Sequence, residues 1–330
     1  MFVPHNGCPH QCSFCNQVSI TGIQKQPTPQ DVINAIQAAV NNKSHKTMQL
    51  ELAFFGGSFT ALDHNYMVSL LETAQPFVTG GIITGIRIST RPDAINTSIL
   101  QCLKQYRVTA IELGAQSMLD TVLTANQRGH TVQQVREAAA LIKAFGFELG
   151  LQMMTGLYMD TVEGAKQTAI EIAKCKPDTV RIYPTIIMKH TYLGQLYESG
   201  SYHTLSLEET VDLCSELLAF FEQEQIRVIR LGLHSSPELE QDRLAGPWHP
   251  ALRELCESRR YRTAILQDLE HSFVTGKNIE LLIHPKDYSK AIGQKKSNLQ
   301  FFTSIGYHIE IKTDETIQRN RFSLAYADNE

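Results

Sequence analysis

Cys8, Cys12 and Cys15 lie together in the stretch HNGCPHQCSFCNQ. Three thiolates this close can share one metal centre. A closed zinc site takes four ligands, and His5 or His10 can supply the fourth. A dithiol redox pair needs only Cys12 and Cys15 and leaves Cys8 without a task. A 4Fe–4S cluster normally takes four cysteines, so one held by three keeps an iron open to a further molecule. Gly7 before the run and Pro9 inside it suit a loop whose backbone approaches a metal. Spacing alone does not choose among these three chemistries. The other four cysteines, Cys102, Cys175, Cys214 and Cys256, are scattered singly and read as small apolar residues. Seven thiols in a chain of 330 residues argue against a disulfide framework.

The elements that must hold this loop alternate along the first two-thirds of the chain. MFVP reads as the end of a strand. DVINAIQAAVNN places Val32, Ile36 and Val40 on one helical face. LELAFFGG, ITGIRIST, VTAIELGAQS, FELGLQMM, DTVRIYP and IRVIRLGL read as strands. The helices between them include TVQQVREAAALIKAFG, with Thr131 as cap and Gly146 as stop, VEGAKQTAIEIAKC and LEETVDLCSELLAFFEQEQ. Repeated strand–helix units imply a parallel sheet. The expected fold is therefore α/β, a barrel or a partial barrel of (β/α)6 type, whose chemistry collects where the strands end. The stretches FGGSFT, STRPD, ELGAQS, MMTGL and YPT occupy such ends. The barrel is expected over 1–233. A polar, Pro/Gly-rich segment near Leu233–Trp248 separates it from a small α+β domain over 249–330.

Composition narrows the function classes. Net charge is −4, with 42% hydrophobic and 19% charged residues. A globally basic nucleic-acid binder is not indicated, although a local basic patch is compatible. No apolar run reaches the roughly 18 residues of a membrane span, so no membrane partner is expected. The start of the chain reads as no secretory leader, and the expected compartment is cytoplasmic.

With strand-end motifs following it, the CxxxCxxC loop resembles the radical S-adenosylmethionine (radical SAM) superfamily, and Phe14 matches the aromatic favoured before the third cysteine. The resemblance implies a 4Fe–4S cluster on Cys8, Cys12 and Cys15. It also implies S-adenosylmethionine on the open iron, cleaved by one electron into methionine and a hydrogen-abstracting 5′-deoxyadenosyl radical. It implies cofactor-binding roles for Gly56, Gly57 and Ser58 toward the methionine amino group, with the backbone of Ser58 the expected contact. Ser89 and Gln116 are expected near the ribose, and Gln152 is a further strand-end candidate for the cofactor pocket. Arg128 is expected on the methionine carboxylate, a bidentate task for guanidinium. Arg91 either orients an acidic ligand or pairs with Asp93. His130 reads as a helix-entry residue or, less readily, a catalytic one. An electron donor such as flavodoxin or ferredoxin is the implied partner.

Within the superfamily, GGSF, STRPD, IELGAQS, NQRGHT, the MM of LQMMTGL and YPTIIMKHTYLGQLYESGSY resemble the radical SAM region of the Elongator catalytic-subunit family over about residues 1–232. That family modifies wobble uridine in tRNA. The gap between the first two cysteines is shorter here. No acetyl-CoA-type glycine loop is recognised, so the expectation carried over is radical generation and an RNA substrate, without the acetyl step. The C-terminal order NIELLIHP, KDYSKAI, GQKK, SNLQFFTSIG, YHIEIK resembles the KH module, whose GxxG loop clamps a nucleic-acid backbone. Gly293 is kept and Lys296 replaces the second glycine. Lys290, Lys295 and Lys296 can attract phosphate. Two other readings stand beside this one. GAQS also resembles oxygen-independent coproporphyrinogen oxidases, which act on a small molecule. A non-catalytic iron–sulfur or zinc RNA-binding protein is the third.

Overall fold

The structure, a computed structural model, describes residues 1–4, 8, 11–16, 25–41, 49–271 and 278–326. His5, Gly7, Pro9 and His10 lie outside the described residues. The chain divides into two units, one of residues 1–206 with 221–248 and one of residues 207–220 with 249–330.

The first unit carries seven parallel strands: β1 (Phe2–Val3), β2 (Glu51–Gly56), β3 (Gly85–Thr90), β4 (Val108–Gln116), β5 (Glu148–Thr155), β6 (Thr179–Pro184) and β8 (Arg227–Leu231). They pair in chain order. A short antiparallel pair, β7 (Ile187–Met188) with β9 (Arg243–Ala245), stands apart. Helices connect the strands, so the sheet is of the α/β partial-barrel type, not closed between β1 and β8 among the described residues. The segment Thr131–Gly146 is built as its sequence implies. Thr131 and Gln134 form a reciprocal capping box at the start of the helix Val132–Ala144, and Gly146 follows its end at φ +74°.

Each strand separates two environments because its side chains alternate. Phe54, Ile86, Ile88, Ile111, Leu113, Leu149, Leu151, Val180 and Ile182 are buried on one face. Each contributes about 1.5–3 kcal/mol of burial, which fixes the register, because a one-residue slip would invert both faces. The other face carries Glu51, Arg87, Ser89, Glu112, Gly150, Gln152 and Arg181. Arg87 pairs with Glu51 at 2.8 Å and Glu148 at 3.1 Å, and Arg181 with Glu112 at 2.5 Å. The Glu112 side chain crosses β5 at Gly150. A Cβ there would stand 2.7 Å from Glu112 Cγ and 3.1 Å from Thr179 Oγ1, so this position has no room for a side chain.

The second unit has a three-stranded sheet ordered β11-β10-β12, with β10 (Asn278–Ile283), β11 (His308–Thr313) and β12 (Phe322–Tyr326). β10 and β11 are parallel, and β12 is antiparallel to β10. Between β10 and β11 lie the helices Tyr288–Ile292 and Ser297–Ser304, joined through Gly293 and the turn Gln294–Lys296. Tyr261, Ile265 and Leu269 of the helix Leu252–His271 pack on Ile279, Leu281, Ile283, Phe302 and Ile309. Residues 207–220 group here for a visible reason. Arg259 pairs with Glu208 and Asp212, and Ser215 Oγ donates to the Cys256 carbonyl at 3.1 Å. Among the described residues no helix is long and apolar enough to cross a membrane.

Candidate active site

The described part of the cysteine loop is anchored at Ser13, which is fully buried. Its N–H donates to the Asn126 carbonyl at 3.1 Å, and its hydroxyl donates to Asn126 Oδ1 at 2.7 Å. Its own carbonyl accepts from Leu193 N–H at 2.8 Å. Asn126 is in turn fixed, because its amide donates to the carbonyls of Val122 and Tyr158, both at 2.8 Å. A tight turn brings Cys15 N–H to the Cys12 carbonyl at 3.1 Å. Cys12, Ser13 and Cys15 are thus held by the fold.

Arg128 links this loop to the strand ends. Its Nη1 donates to Cys12 Sγ at 3.0 Å and its Nη2 to the Gly114 carbonyl at 2.7 Å. Its guanidinium stands 6.0 Å from the Phe14 ring centroid. Arg91 pairs with Asp93 at 2.9 Å and also donates to the Arg128 carbonyl. Cys8 lies in the field of both guanidiniums and of Cys12, and a Ser58 backbone hydrogen bond reaches it. Burial pushes its thiol up, against the pull of that hydrogen bond and the two cations.

The glycine pair is shaped by β1. Gly56 has φ +120°, and a Cβ on it would meet the Val3 carbonyl oxygen at 2.6 Å. The N–H of Gly57 donates to that same oxygen at 2.7 Å. The Ser58 hydroxyl accepts from Arg91 N–H at 3.2 Å and pairs with Thr90 Oγ1 at 2.8 Å, which directs the side chain into the protein. Gln116 ends β4 at φ +66°, where the register shifts. A non-glycine residue there costs on the order of 1 kcal/mol, a strain found most often at functional positions. A Cβ on Gly114 would stand 2.9 Å from Gln116 Nε2 and 3.4 Å from Arg128 Nη2, so both side chains lie over this glycine.

The residues singled out from the sequence therefore separate into two groups. Cys8, Cys12, Ser58, Arg91, Gln116 and Arg128 gather at the ends of β2, β3 and β4. Ser89 and Gln152 lie together elsewhere on the inner face. Gln152 Nε2 donates to Glu112 Oε2 at 3.0 Å and approaches Ser89 Oγ at 3.4 Å. His130 is buried beside the first group. Its Nε2 lies 3.3 Å from the Ala115 carbonyl, and its Nδ1 has no partner. Burial, followed by the nearby Arg128 and Arg91 charges, lowers its imidazole to about 4, so it is neutral at pH 7. In the second unit Lys290 is occupied by Asn320, Asp287 and Glu257. Lys295 and Lys296 are exposed, with φ of +52° and +62°. Gly293 is buried, and a Cβ on it would stand 2.5 Å from Ser297 Oγ.

Sequence reading passed over Asn126 and Ser13, although Asn126 stands two residues before the Arg128 it singled out. It also passed over Arg87, Glu112, Arg181 and Arg230. The signal available was a lone charge or two inside otherwise apolar strands. Asp160, in the turn after β5, was missed as well. Both of its carboxylate oxygens are buried without a sound hydrogen-bond partner. Burial raises its acid from the ordinary 3.8 to about 6, only partly offset by the Thr161 backbone N–H. The protonated form is the one favoured by folding. This contribution is full below pH 3.8 and is lost as pH rises through about 6. Asp160→Asn should therefore raise stability at pH 8 by about 1–2 kcal/mol and change little at pH 4, as measured by urea unfolding at the two pH values.

The fit of an iron–sulfur cluster can be judged from the donor set. None of Cys8, Cys12 and Cys15 is joined in a disulfide. Arg91 and Arg128 pull the Cys8 thiol down, against the larger effect of burial. Arg91 Nη1, Arg128 Nε and Gln116 Oε1 are buried atoms without a hydrogen-bond partner in the same neighbourhood. Among the described residues no three His, Cys, Asp or Glu side chains stand close enough to hold a metal ion, so the loop is not closed around one point. The donor chemistry and its electrostatic setting nonetheless suit a three-thiolate cluster with polar groups left for a second ligand.

A parallel sheet that gathers a cysteine loop and cationic side chains at its strand ends has the layout of an α/β enzyme whose site lies where the strands end. The chain belongs to the radical SAM superfamily, whose model matches residues 2–171, and the Radical_SAM C-terminal domain matches residues 177–262. It is similar to Elongator complex protein 3 of Danio rerio, 29% identical over 258 residues, covering 69% of this chain and 46% of that protein. It is also similar to the tRNA uridine(34) acetyltransferase of Dehalococcoides mccartyi, 24% identical over 228 residues, covering 59% and 50%. The chain spans about half the length of the curated relatives it matches. Among solved structures, Elp3 of Methanocaldococcus infernus aligns with a TM-score of 0.54 at 22% identity, covering 64% of this chain and 57% of that one. Streptococcus suis SuiB aligns at 0.51 and 13%, covering 72% and 49%. These two support the fold alone. The superfamily implies a 4Fe–4S cluster and S-adenosylmethionine, and the chain is an enzyme of this kind.

Proposed function

We propose that this enzyme acts on RNA, with a tRNA uridine as the nearest substrate class, and that Cys8, Cys12 and Cys15 hold its cluster. The observation that carries the cofactor assignment is the Arg128 guanidinium, which spans Cys12 Sγ and the Gly114 carbonyl and so joins the thiol loop to the end of β4. When bound, the cluster and S-adenosylmethionine supply a one-electron route to a radical that removes hydrogen from a substrate carbon. The chain's own residues do the positioning. Ser13 and Asn126 hold the loop. Arg91 and Arg128 offset thiolate charge. Gln116 presents an amide that can both donate and accept at the end of β4.

The RNA reading is supported by the similarity to a tRNA uridine(34) acetyltransferase and by the second unit. There Lys295 and Lys296 project from a tight turn between two helices. They can attract a phosphate backbone in the manner of a KH loop. The acetyl transfer in the name of one relative is not part of this proposal. A cytoplasmic location and an electron donor of the flavodoxin or ferredoxin kind accompany it as expectations.

Two measurements test the reading. Protein reconstituted anaerobically with iron and sulfide should release 5′-deoxyadenosine from S-adenosylmethionine under dithionite. Cys12→Ala should reduce that release by about a thousandfold or more, to background. A fully loaded cluster without product would count against the cofactor assignment. Nucleoside mass spectrometry of tRNA from cells lacking the protein should show a lost or precursor uridine modification. An unchanged profile would remove the RNA reading.

A further inference from the structure

The inner face of the sheet places two arginines side by side. Arg181 on β6 is the register partner of Arg230 on β8. Directly opposed like charges on neighbouring strands are unfavourable. Arg181 is compensated, with Nη2 on Glu112 Oε1 at 2.8 Å, Nε 2.5 Å from Glu112 Oε2, and its guanidinium over the Phe55 ring at 4.8 Å. Arg230 is not. Its Nε donates to the Gly232 carbonyl at 2.8 Å. Among the described residues neither of its terminal nitrogens has a protein partner and no carboxylate pairs with it. The charged and titratable groups around it are Arg181, Tyr183 and His234. Burial lowers the Arg230 guanidinium, with Arg181 adding to the effect. Burial and the two arginines also hold the His234 imidazole below its usual range.

A half-buried guanidinium beside a second one, its terminal nitrogens open to solvent, makes a positive site that an anion can complete. Its two terminal nitrogens form the fork that binds a planar or tetrahedral oxyanion with two hydrogen bonds. Gly232, which follows β8, holds the fork by one end. None of these groups belongs to the Cys8–Arg128 cluster at β2–β4, so the subsite lies on a different part of the sheet.

We infer that Arg230, flanked by Arg181, Tyr183 and His234, forms a subsite for an oxyanion carried by the substrate, either a phosphate or a carboxylate. The inference rests on the radical SAM reading of this face as the substrate side. It does not require that the substrate be RNA.

The test is equilibrium dialysis of the reconstituted protein with four radiolabelled probes: uridine 5′-monophosphate, uridine, glutarate and S-adenosylmethionine. The wild type should bind uridine 5′-monophosphate or glutarate, and which of the two binds identifies the source of the anion. Arg230→Gln should weaken that probe by about tenfold or more, and Arg230→Lys by about threefold or less. Uridine and S-adenosylmethionine should be unaffected. His234→Glu places a carboxylate at an exposed position beside Arg230. It should weaken the anionic probe by about fivefold without touching the core, which covers the case that Arg230→Gln does not fold. Unchanged anion binding in a folded Arg230→Gln or in His234→Glu overturns the inference. So does a proportionate loss of S-adenosylmethionine binding, or failure of both anionic probes to bind the wild type below about 10 mM. Binding of glutarate alone leaves the subsite standing and counts against the RNA reading.

Discussion

Arg128→Ala is expected to lower 5′-deoxyadenosine formation by about tenfold to a hundredfold, with a smaller loss in Arg128→Lys. The size follows from what the side chain holds. One nitrogen donates to Cys12 Sγ at 3.0 Å and another to the Gly114 carbonyl at 2.7 Å. A hydrogen bond from a charged donor to a buried acceptor is worth about 1.5–3 kcal/mol, and two acceptors lose theirs together. Lysine keeps the charge but has no planar fork to span a thiol and a carbonyl at once. Iron content per chain and S-adenosylmethionine binding separate two routes to the loss. Normal iron with weakened binding points to the cofactor ligand. Reduced iron points to the cysteine loop. A wild-type rate in Arg128→Ala would show that the guanidinium is a packing element only.

Asn126→Ala carries the second large expectation. It should destabilise the protein by about 2–5 kcal/mol and lower iron incorporation in parallel. The substitution leaves the Ser13 hydroxyl and the Tyr158 carbonyl without the partners they have at 2.7 and 2.8 Å. Ser13 and Asn126 are both fully buried, so solvent cannot take over. The backbone contacts of Ser13 to Asn126 and Leu193 survive, which is why the loop is expected to loosen without the fold being lost. Thermal unfolding and iron analysis on the same samples check both halves. Asn126→Asp preserves the acceptor toward Ser13 but loses the amide donor, so it should fall between the two. Full iron loading in Asn126→Ala would show that Ser13 is held by its backbone alone.

Much of the barrel was legible because its signals are periodic and local. A helix announces itself by faces such as Val32 and Ile36, and Thr131 and Gly146 announce where one begins and ends. The three cysteines stood out because clustered sulfur invites a metal, although spacing alone left three chemistries open. The inner face was harder to read. Arg87, Glu112, Arg181 and Arg230 stand on four different strands. What links them is register, which a linear sequence does not display. Gln152 and Ser89 looked like neighbours of Gln116 for the same reason, since each ends or nearly ends a strand. Only the Glu112 carboxylate, reaching across β5, shows that Gln152 has another partner. Asn126 lies within the quoted NQRGHT but was passed over, because nothing local says that its partner is Ser13. Gly293 was read as an approach point for a nucleic acid, and the contact that its missing side chain spares is with Ser297 and Ser258.

The crowding above Gly150 also bears on how such a chain can change over generations. Every codon one nucleotide away from glycine and specifying another residue adds a Cβ, which would meet Glu112 Cγ at 2.7 Å. Position 150 thus has no neutral neighbour in the genetic code while Glu112 stays in place. Any lineage that re-tunes the charges of this face must alter position 112 first, and doing so strands Arg181. The order of mutational steps is therefore constrained by an atom that the protein lacks.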